Sequence, residues 1–313
     1  MEYKIRTDLA IETREIYKTA QKIDDEVPGV ETTVDNSDKD MLITKVKITT
    51  KEAEEALQKP QGIYVTIEAS KLKEDYENVH EKIAKKVSET IKELGNLMAG
   101  DTVLVVGLGN WDVTADALGP KVISDIEITR HLLEYMPEYV VPGTRPVCAV
   151  SPGVLGTTGI ETGEIIKGIV EKIRPNLIIA IDALASRKME RVSTTIQISD
   201  TGITPGSGIG NKRNAIDKET LGVPVIALGV PTVVDAATIA NDTLELMIGK
   251  LKEEKSEIAD AIEKMENDNK YSYIKEVLSP EELNYIVTPS AIDEIITNVS
   301  KVLASGINTA LNG

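Results

Sequence analysis

Short apolar runs, most of them followed by a glycine turn, dominate the chain after residue 100. The five runs are "TVLVVGLG", "RPVCAVSPG", "NLIIAIDA", "TTIQISD" and "VPVIALGVP". Strands that are apolar on both faces are typical of a parallel sheet covered by helices. Helical patterns occupy the intervening stretches 119–136, 161–173 and 235–250. The pattern therefore predicts an α/β fold with a doubly wound, mostly parallel sheet and helices on both faces.

The first hundred residues alternate short strand patterns with polar connections. "MLITKVKITT" alternates apolar and polar side chains, and "GIYVTIEAS" follows it after a stretch rich in Lys and Glu. Residues 72–99 form one charged amphipathic pattern that ends near Gly100. We therefore predict a small N-terminal α+β appendage over residues 9–100, followed by an α/β core with C-terminal helices over residues 101–313.

The interior of this protein has to be filled without phenylalanine. The 313-residue chain has no Phe, one Trp and nine Tyr, so Val, Ile, Leu and Ala must form the core, and β-branched residues favour strands. The formal net charge of −16 opposes direct binding to nucleic acids and anionic membranes, because it repels phosphates. The sequence shows neither an apolar run of about 18 residues nor a secretory signal pattern. We therefore expect an intracellular protein.

Two glycine-rich loops raise the alternative of a nucleotide-binding regulatory protein. Gly107 and Gly109 follow a strand, but the third glycine of a dinucleotide fingerprint would fall at Asp112, whose carboxylate would face the phosphates. The second loop, "TPGSGIGNKR", lacks the spacing of a P-loop. The simpler interpretations are a tight strand-to-helix turn for the first loop and a surface loop for the second. Alternatively, Lys212 and Arg213 of the second loop bind the carboxylates of an acidic peptide.

Aspartates at strand ends are the sharper chemical signal. Asp116 follows the first apolar strand of the core, and Asp182 interrupts the apolar run "IIAIDALASR". A buried carboxyl group is costly unless it is paired, protonated or catalytic. The alternative for Asp182 is a helix N-cap, because it precedes "ALASRKME". Asp235 is a third strand-end acid, for which helix capping and a supporting catalytic role are both open.

Two carboxyl groups that lie close together have chemistry that neither has alone. Because both cannot ionise easily, the pKa of one rises above the value of about 3.9 for free Asp, and the pair can hold one proton. The ionised member can take a proton from water while the protonated member donates to a carbonyl oxygen or a leaving amine. If Asp116 and Asp182 meet, the sequence predicts hydrolysis by activated water, without a cofactor.

Metal and thiol chemistry have few candidates in this sequence. The two histidines, His80 and His131, both lie in charged helical patterns, and we interpret them as helix-surface residues rather than metal ligands. The single cysteine, Cys148, has apolar neighbours and is interpreted as a packed thiol.

Long, ordered blocks of the sequence resemble the germination protease family of spore-forming bacteria. The blocks are "VVGLGNWDVTADALGP", "SPGVLGTTGIET", "IIAIDALASR", "TIQISDTGITPGSGIGNKR" and "GVPTVVDA". The resemblance covers nearly the whole chain. It implies an atypical aspartic endopeptidase that degrades small acid-soluble spore proteins early in germination, in the cytoplasm of the forespore or spore core. The two essential aspartates of the family correspond to Asp116 and Asp182.

The same resemblance implies a zymogen that trims its own N-terminus. The stretch "IRTDLAIET" resembles the trimming site, with a cut between Asp8 and Leu9 that releases residues 1–8 as a propeptide. Family substrates are cleaved after an acidic residue and before a bulky apolar one, with Ala next and Glu further downstream, and residues 7–12 follow that pattern. A site that admits such an acidic segment needs local positive charge. The candidates for substrate binding are Arg187, Lys188, Lys212 and Arg213.

A more distant resemblance involves metal chemistry. "GLGN", then Asp116, then Gly119 is similar to the hydrogenase-maturation peptidases, in which an acidic residue equivalent to Asp116 binds a metal. Their histidine ligand has no counterpart here, because no histidine follows Asp182. A metal-dependent maturation peptidase is therefore the second alternative, and we expect no metal and no cofactor. The germination protease family forms tetramers, so the resemblance implies a homotetramer.

Overall fold

The structure is a computed structural model that describes residues 7–74, 76–204, 215–253, 273–274, 276–278 and 285–312. Its helices are α1 (Ala10–Gln21), α2 (Lys51–Leu57), α3 (Glu77–Gly95), α4 (Leu118–Ser124), α5 (Arg130–Tyr135), α6 (Leu155–Thr158), α7 (Thr162–Ile173), α8 (Lys218–Leu221), α9 (Ala236–Glu253) and a C-terminal helix (Ile292–Asn312). Its strands are β1 (Val30–Asp35), β2 (Leu42–Ile48), β3 (Gly62–Glu68), β4 (Val103–Gly107), β5 (Val147–Val150), β6 (Leu177–Ser186), β7 (Thr195–Ser199), β8 (Val225–Asp235) and β9 (Ile286–Val287). Across these ranges, no helix is both long enough and apolar enough to cross a lipid bilayer.

The strands in the described ranges form one mixed sheet. Its order is β1-β2-β3-β7-β8-β6-β4-β5, with β9 paired to β8. Strands β8, β6, β4 and β5 run parallel to one another. Strands β1, β2, β3 and β7 continue the sheet by antiparallel pairing, and β7 joins the parallel part through β8. The sheet therefore has a parallel half and an antiparallel half.

Both faces of the parallel half are buried, as the continuous apolar runs predict. In β4, Val103 and Val105 belong to the larger core cluster, which includes residues of α3, α4 and the C-terminal helix. Leu104 and Val106 belong to a second cluster that includes residues of α7. Neighbouring side chains of a strand point to opposite faces, so β4 is enclosed on both sides. Chemistry that needs access to solvent is therefore expected at the ends of these strands.

The predicted α/β fold with helices on both faces is confirmed. The sheet contains more antiparallel pairing than expected, because the N-terminal strands are not set apart from it: β3 pairs with β7 from Tyr64↔Ser199 to Glu68↔Thr195. An apolar and polar pattern identifies a strand but does not identify the strand that pairs with it, because any strand with a matching face satisfies the pattern. The division of the chain into domains at residue 100 stays a prediction.

The helical pattern over 119–136 forms two helices, α4 and α5, instead of one. The backbone N–H of Thr129 donates to the carbonyl oxygen of Val147 at 3.0 Å, and the backbone N–H of Val147 donates to Oγ1 of Thr129 at 2.9 Å. These bonds tie the chain to the start of β5 and interrupt the helix. The other two predicted helices, 161–173 and 235–250, agree with α7 and α9 to within a few residues.

Strand β4 and helix α4 approach each other so closely that no side chain fits at the contact. A Cβ atom on Gly107 would lie 2.4 Å from the carbonyl oxygen of Gly119, and a Cβ atom on Gly119 would lie 2.3 Å from the carbonyl oxygen of Leu108. Both distances are well inside van der Waals contact. The two glycines therefore let the chain turn back tightly at the end of β4.

We expect Gly119→Ala to lower the free energy of unfolding by about 1–3 kcal/mol, because the added methyl group forces β4 and α4 apart. Urea denaturation measures this change. The matched control is Gly168→Ala on the exposed side of α7, where a Cβ atom meets no atom within 4 Å. There alanine should be neutral or stabilising by up to about 1 kcal/mol, because it favours a helix. Equal stability of the two variants would contradict the close approach.

Candidate active site

Asp182 lies inside β6, at the level where β4 ends. Gly107, the last residue of β4, pairs with Ile181. Asp182 is only 9% exposed, and burial raises its pKa well above the usual range, with the negative charges of Asp116 and Asp8 acting in the same direction. The helix-cap alternative for Asp182 is wrong, because the residue is part of a ten-residue strand.

Asp116 is held at the same edge of the sheet by the turn that follows β4. It ends the 3₁₀ turn Thr114–Asp116. The backbone N–H of Asn110 donates both to the carbonyl oxygen of Asp116, at 3.1 Å, and to its Oδ2, at 2.8 Å. Gly109 has a φ of 114°, and a Cβ atom there would lie 2.0 Å from the carbonyl oxygen of Asp116. The first glycine loop thus positions a carboxyl group.

Asp116 and Asp182 lie near the same edge of the sheet, and their role as a catalytic pair stays a prediction. Because the charge of Asp116 raises the pKa of Asp182, the two carboxyl groups are electrostatically coupled. Burial favours the protonated form of Asp182, and the backbone N–H of Asn110 donates to the carboxyl group of Asp116. The arrangement can therefore supply an acid and a base at one place.

Asp235 ends β8 and caps α9. Its Oδ1 accepts a hydrogen bond from the backbone N–H of Thr238 at 3.1 Å, which is the usual bond from an N-cap to the third helical residue. Capping accounts for the position of this buried carboxyl group. The supporting catalytic role of Asp235 stays a prediction.

The two histidines and the cysteine lie apart from the aspartates, on helices or beside the core. Nε2 of His80 is 3.2 Å from the carbonyl oxygen of Leu72, and His131 is exposed on α5. Cys148 is half-buried beside the second core cluster, and burial raises the pKa of its thiol. Among the described residues, no three His, Cys, Asp or Glu side chains are grouped so that they could hold a metal ion.

Residues 7–12 lie across the edge of the sheet that carries the aspartates. The backbone N–H of Asp8 donates to the carbonyl oxygen of Ala185 in β6 at 2.9 Å. The backbone N–H of Ala185 in turn donates to Oδ2 of Asp8 at 2.8 Å. Asp8 is therefore bound through its backbone and its side chain, three residues beyond Asp182 along the same strand.

Two side chains bind the peptide bond between Asp8 and Leu9. The carbonyl oxygen of Asp8 accepts hydrogen bonds from Nζ of Lys59 at 2.9 Å and from Nε2 of Gln197 at 3.1 Å. Oε1 of Gln197 accepts from the backbone N–H of Ala10 at 2.7 Å. The amide of Gln197 thus bridges the predicted cleavage point.

The apolar residues after this peptide bond fill enclosed positions. Leu9 is fully buried and Ile11 is 6% exposed, and both pack against Leu184 and Ile203. Ala10 is fully buried within a cluster built from the N-terminal strands. The segment is therefore an integral part of the packed structure.

Glu12 is almost fully buried and is bound by several donors. Its carboxylate accepts from the backbone N–H groups of Arg187 at 2.6 Å and Lys188 at 3.1 Å. Nη1 of Arg191 lies 3.3 Å from Oε1 of Glu12, and the hydroxyl group of Thr7 donates to Oε2. A buried carboxylate requires this degree of pairing.

Two of the four predicted basic residues, Arg187 and Lys188, contact Glu12 of the N-terminal segment, and their role in substrate binding stays a prediction. Arg187 and Lys188 bind Glu12 through their backbone, whereas their side chains pair with Asp242 at 3.0 Å and with Glu15 at 2.9 Å. The other two candidates, Lys212 and Arg213, lie outside the described residues.

Three residues that bind the segment were missed in the sequence analysis: Lys59, Gln197 and Arg191. Gln197 is a buried polar residue in the apolar run "TTIQISD", which is the same signal that singled out Asp182. Arg191 follows Arg187 closely, and its guanidinium also pairs with Glu68 of β3. Lys59 carries no local signal, because it lies in an ordinary polar turn far from the acids along the chain.

The sequence and its relatives agree on one family. The family model for germination protease matches residues 10–261 and 251–313. The germination protease of Caldanaerobacter subterraneus subsp. tengcongensis is 53% identical over 310 residues, which cover 98% of this chain and 94% of that protein. That of Clostridium perfringens strain 13 is 49% identical over 312 residues, covering 99% and 95% of the two chains. That of Bacillus subtilis strain 168 is 43% identical over 350 residues, covering 99% and 94%.

A solved structure of a nickel–iron hydrogenase maturation protease from Thermococcus kodakarensis KOD1 is also similar. It is 19% identical with a TM-score of 0.28, and the match covers 45% of this chain and 80% of that chain. This similarity is too low to carry an argument. The relatives named germination protease match over nearly their whole lengths, so the chain belongs to the germination protease family and is an endopeptidase.

Proposed function

We propose that this endopeptidase degrades small acid-soluble spore proteins during germination, and that it is made as a zymogen that cuts its own chain between Asp8 and Leu9. Asp116 and Asp182 activate the attacking water. The observation that carries the proposal is the Asp8–Leu9 peptide bond, which is held by hydrogen bonds at the sheet edge where the two aspartates meet. On this proposal, the chain carries its own first substrate.

The two aspartates act with one proton between them. Asp182 holds this proton because burial and neighbouring charges raise its pKa, and Asp116 acts as the base. Asp116 takes a proton from a water molecule as the water oxygen bonds to the carbonyl carbon of Asp8. Asp182 gives its proton to the nitrogen of Leu9 as the C–N bond breaks. Transfer of a proton from Asp116 to Asp182 then restores the pair.

The contacts of residues 7–12 suggest a physical reason for each feature of the expected cleavage pattern. The backbone N–H of Ala185 binds the acid before the cut. Leu9 fills an enclosed apolar site, and Ala10 is fully buried in the packed cluster next to it. The carboxylate of Glu12 meets two backbone N–H groups and the guanidinium of Arg191. A substrate whose residues after the cut form the first turn of a helix, as Ala10 to Glu12 do in α1, can make the same contacts.

A protein with a net charge of −16 binds an acidic substrate only where local donors outweigh the overall repulsion. The donors around Glu12 meet that need, which supports small acid-soluble spore proteins as the substrate class. Action in the spore core and assembly into a homotetramer also belong to this proposal, and both are supported by the family resemblance alone.

Replacing either aspartate with asparagine is expected to slow self-trimming at least about a hundredfold, because the variant lacks the base or the acid. Incubation of the purified chain followed by N-terminal sequencing measures the appearance of a terminus at Leu9. Asp112→Asn is the matched control, since Asp112 is an exposed aspartate in the same loop and should trim at the unaltered rate. Normal trimming by Asp116→Asn or by Asp182→Asn would rule out the pair.

Self-trimming should also slow as the pH rises through the raised pKa of Asp182. Below this pKa the carboxyl group keeps its proton, and above it the acid is lost and three like charges repel one another. A raised folded-state pKa favours folding only while the group is protonated, so the zymogen loses stability over the same range. Trimming rates and thermal unfolding from mildly acidic to mildly alkaline pH measure both effects. Asp182→Asn should lack this loss of stability, and a trimming rate that increases steadily with pH would contradict the assignment.

A peptide of residues 7–17 tests the recognition of the downstream acid. Glu12→Gln in this peptide should lower kcat/KM at least about tenfold, because hydrogen bonds to a charged group contribute about 1.5–3 kcal/mol. The comparison is Glu15→Gln in the same peptide. Glu15 also pairs with Arg191, at 2.7 Å, but its side chain is 32% exposed, so its loss should be smaller than that of the almost fully buried Glu12. Similar losses for the two peptides would show that charge alone is recognised.

A further inference from the structure

The carbonyl oxygen of Asp8 has two partners to which the proposed chemistry gives no role. They are Nζ of Lys59, at 2.9 Å, and Nε2 of Gln197, at 3.1 Å. Gln197 lies in β7, and Lys59 precedes the neighbouring strand β3. Both donors therefore come from the antiparallel half of the sheet, whereas Asp182 comes from the parallel half. The Asp8–Leu9 bond lies between them.

Both donors are held in position. Gln197 is 8% exposed, and the bond from Ala10 N–H to its Oε1 orients the amide so that Nε2 faces the carbonyl oxygen of Asp8. Burial lowers the pKa of the Lys59 ammonium, although the charges of Asp8 and Glu12 oppose this. An amine in either protonation state keeps N–H bonds to donate.

We infer that Lys59 and Gln197 are catalytic residues that form the oxyanion hole of this endopeptidase. The inference rests on the proposed cut between Asp8 and Leu9. When the water oxygen bonds to the carbonyl carbon, the electron pair of the C=O double bond moves onto the carbonyl oxygen. The pair returns when the C–N bond breaks and the nitrogen of Leu9 takes its proton. Between these events, both donors face a full negative charge.

The need for such donors is large at this site. The developing oxyanion lies near carboxyl groups that already repel one another, as the raised pKa of Asp182 indicates. Hydrogen-bond donors at about 2.7–3.1 Å from the oxygen are the geometry that stabilises a tetrahedral intermediate, and a site shielded from water strengthens them. Their contribution should therefore be larger in the transition state than in the bound substrate.

The test is Lys59→Met in the full chain, with self-trimming as the first measurement. We expect the rate to fall about 10²- to 10³-fold, the usual loss for one oxyanion donor. With a peptide of residues 7–12, kcat should fall by the same factor while KM stays within about threefold of the original value. Lys59→Arg, which keeps a cationic donor, should recover at least about tenfold of the loss. Lys47→Met is the surface control, because Lys47 pairs only loosely with Glu31, at 3.3 Å, and should trim normally.

Two results would overturn the inference. One is trimming by Lys59→Met within about threefold of the unaltered rate, and the other is a higher KM with unchanged kcat, which would make Lys59 an anchor for the ground state. If Lys59→Met does not fold, Gln197→Met takes its place. A lower kcat then supports the inference, and an unchanged kcat contradicts it. A failure of the proposed function has a different signature: the unaltered chain releases no terminus at Leu9, or Asp116→Asn still trims. In that case the inference falls with it.

Discussion

The buried carboxyl group of Asp182 lies near the half-buried carboxyl groups of Asp116 and Asp8, and the repulsion among these groups governs the rest of this site. Asp182 lies inside a strand, Asp116 follows a neighbouring strand, and Asp8 comes from the N-terminal segment. Like charges that lie close together repel one another, which favours the protonated form of the buried Asp182. Burial and the other two charges accordingly raise the pKa of Asp182.

The remaining contacts of the site offset this negative charge with hydrogen-bond donors and cations. Backbone N–H groups of Asn110 and Ala185 each bind one of the carboxylates, and Lys59 lies at the carbonyl oxygen between them. Arg191 performs the equivalent task further along the segment, where Glu12 is buried. Because these donors belong to separate elements, the site exists only when both halves of the sheet are assembled. Folding and the capacity for chemistry are therefore coupled in this protein.

The glycine loop after β4 shows how one backbone shape serves different chemistry. Gly107 and Gly109 create a tight turn at the end of a parallel strand, as in dinucleotide-binding proteins, but here the turn delivers the carboxyl group of Asp116. The family assignment of the chain supports a peptidase over the alternative of a nucleotide-binding regulatory protein. A glycine motif of this kind specifies a tight backbone turn, and the side chains that follow the turn determine which chemistry the loop supports.

The amino-acid sequence by itself determined the α/β class, the strands that carry the acids, and Asp116 and Asp182 as a candidate pair. A carboxyl group within an apolar run is unfavourable where it stands. It can therefore be recognised from the sequence without knowledge of its tertiary contacts. The tertiary structure alone decided that β3 joins β7 and that Lys59 and Arg191 reach the N-terminal segment. Local patterns record which residues are buried, whereas contacts between distant residues depend on strand pairing and register, which are fixed only when the whole sheet packs.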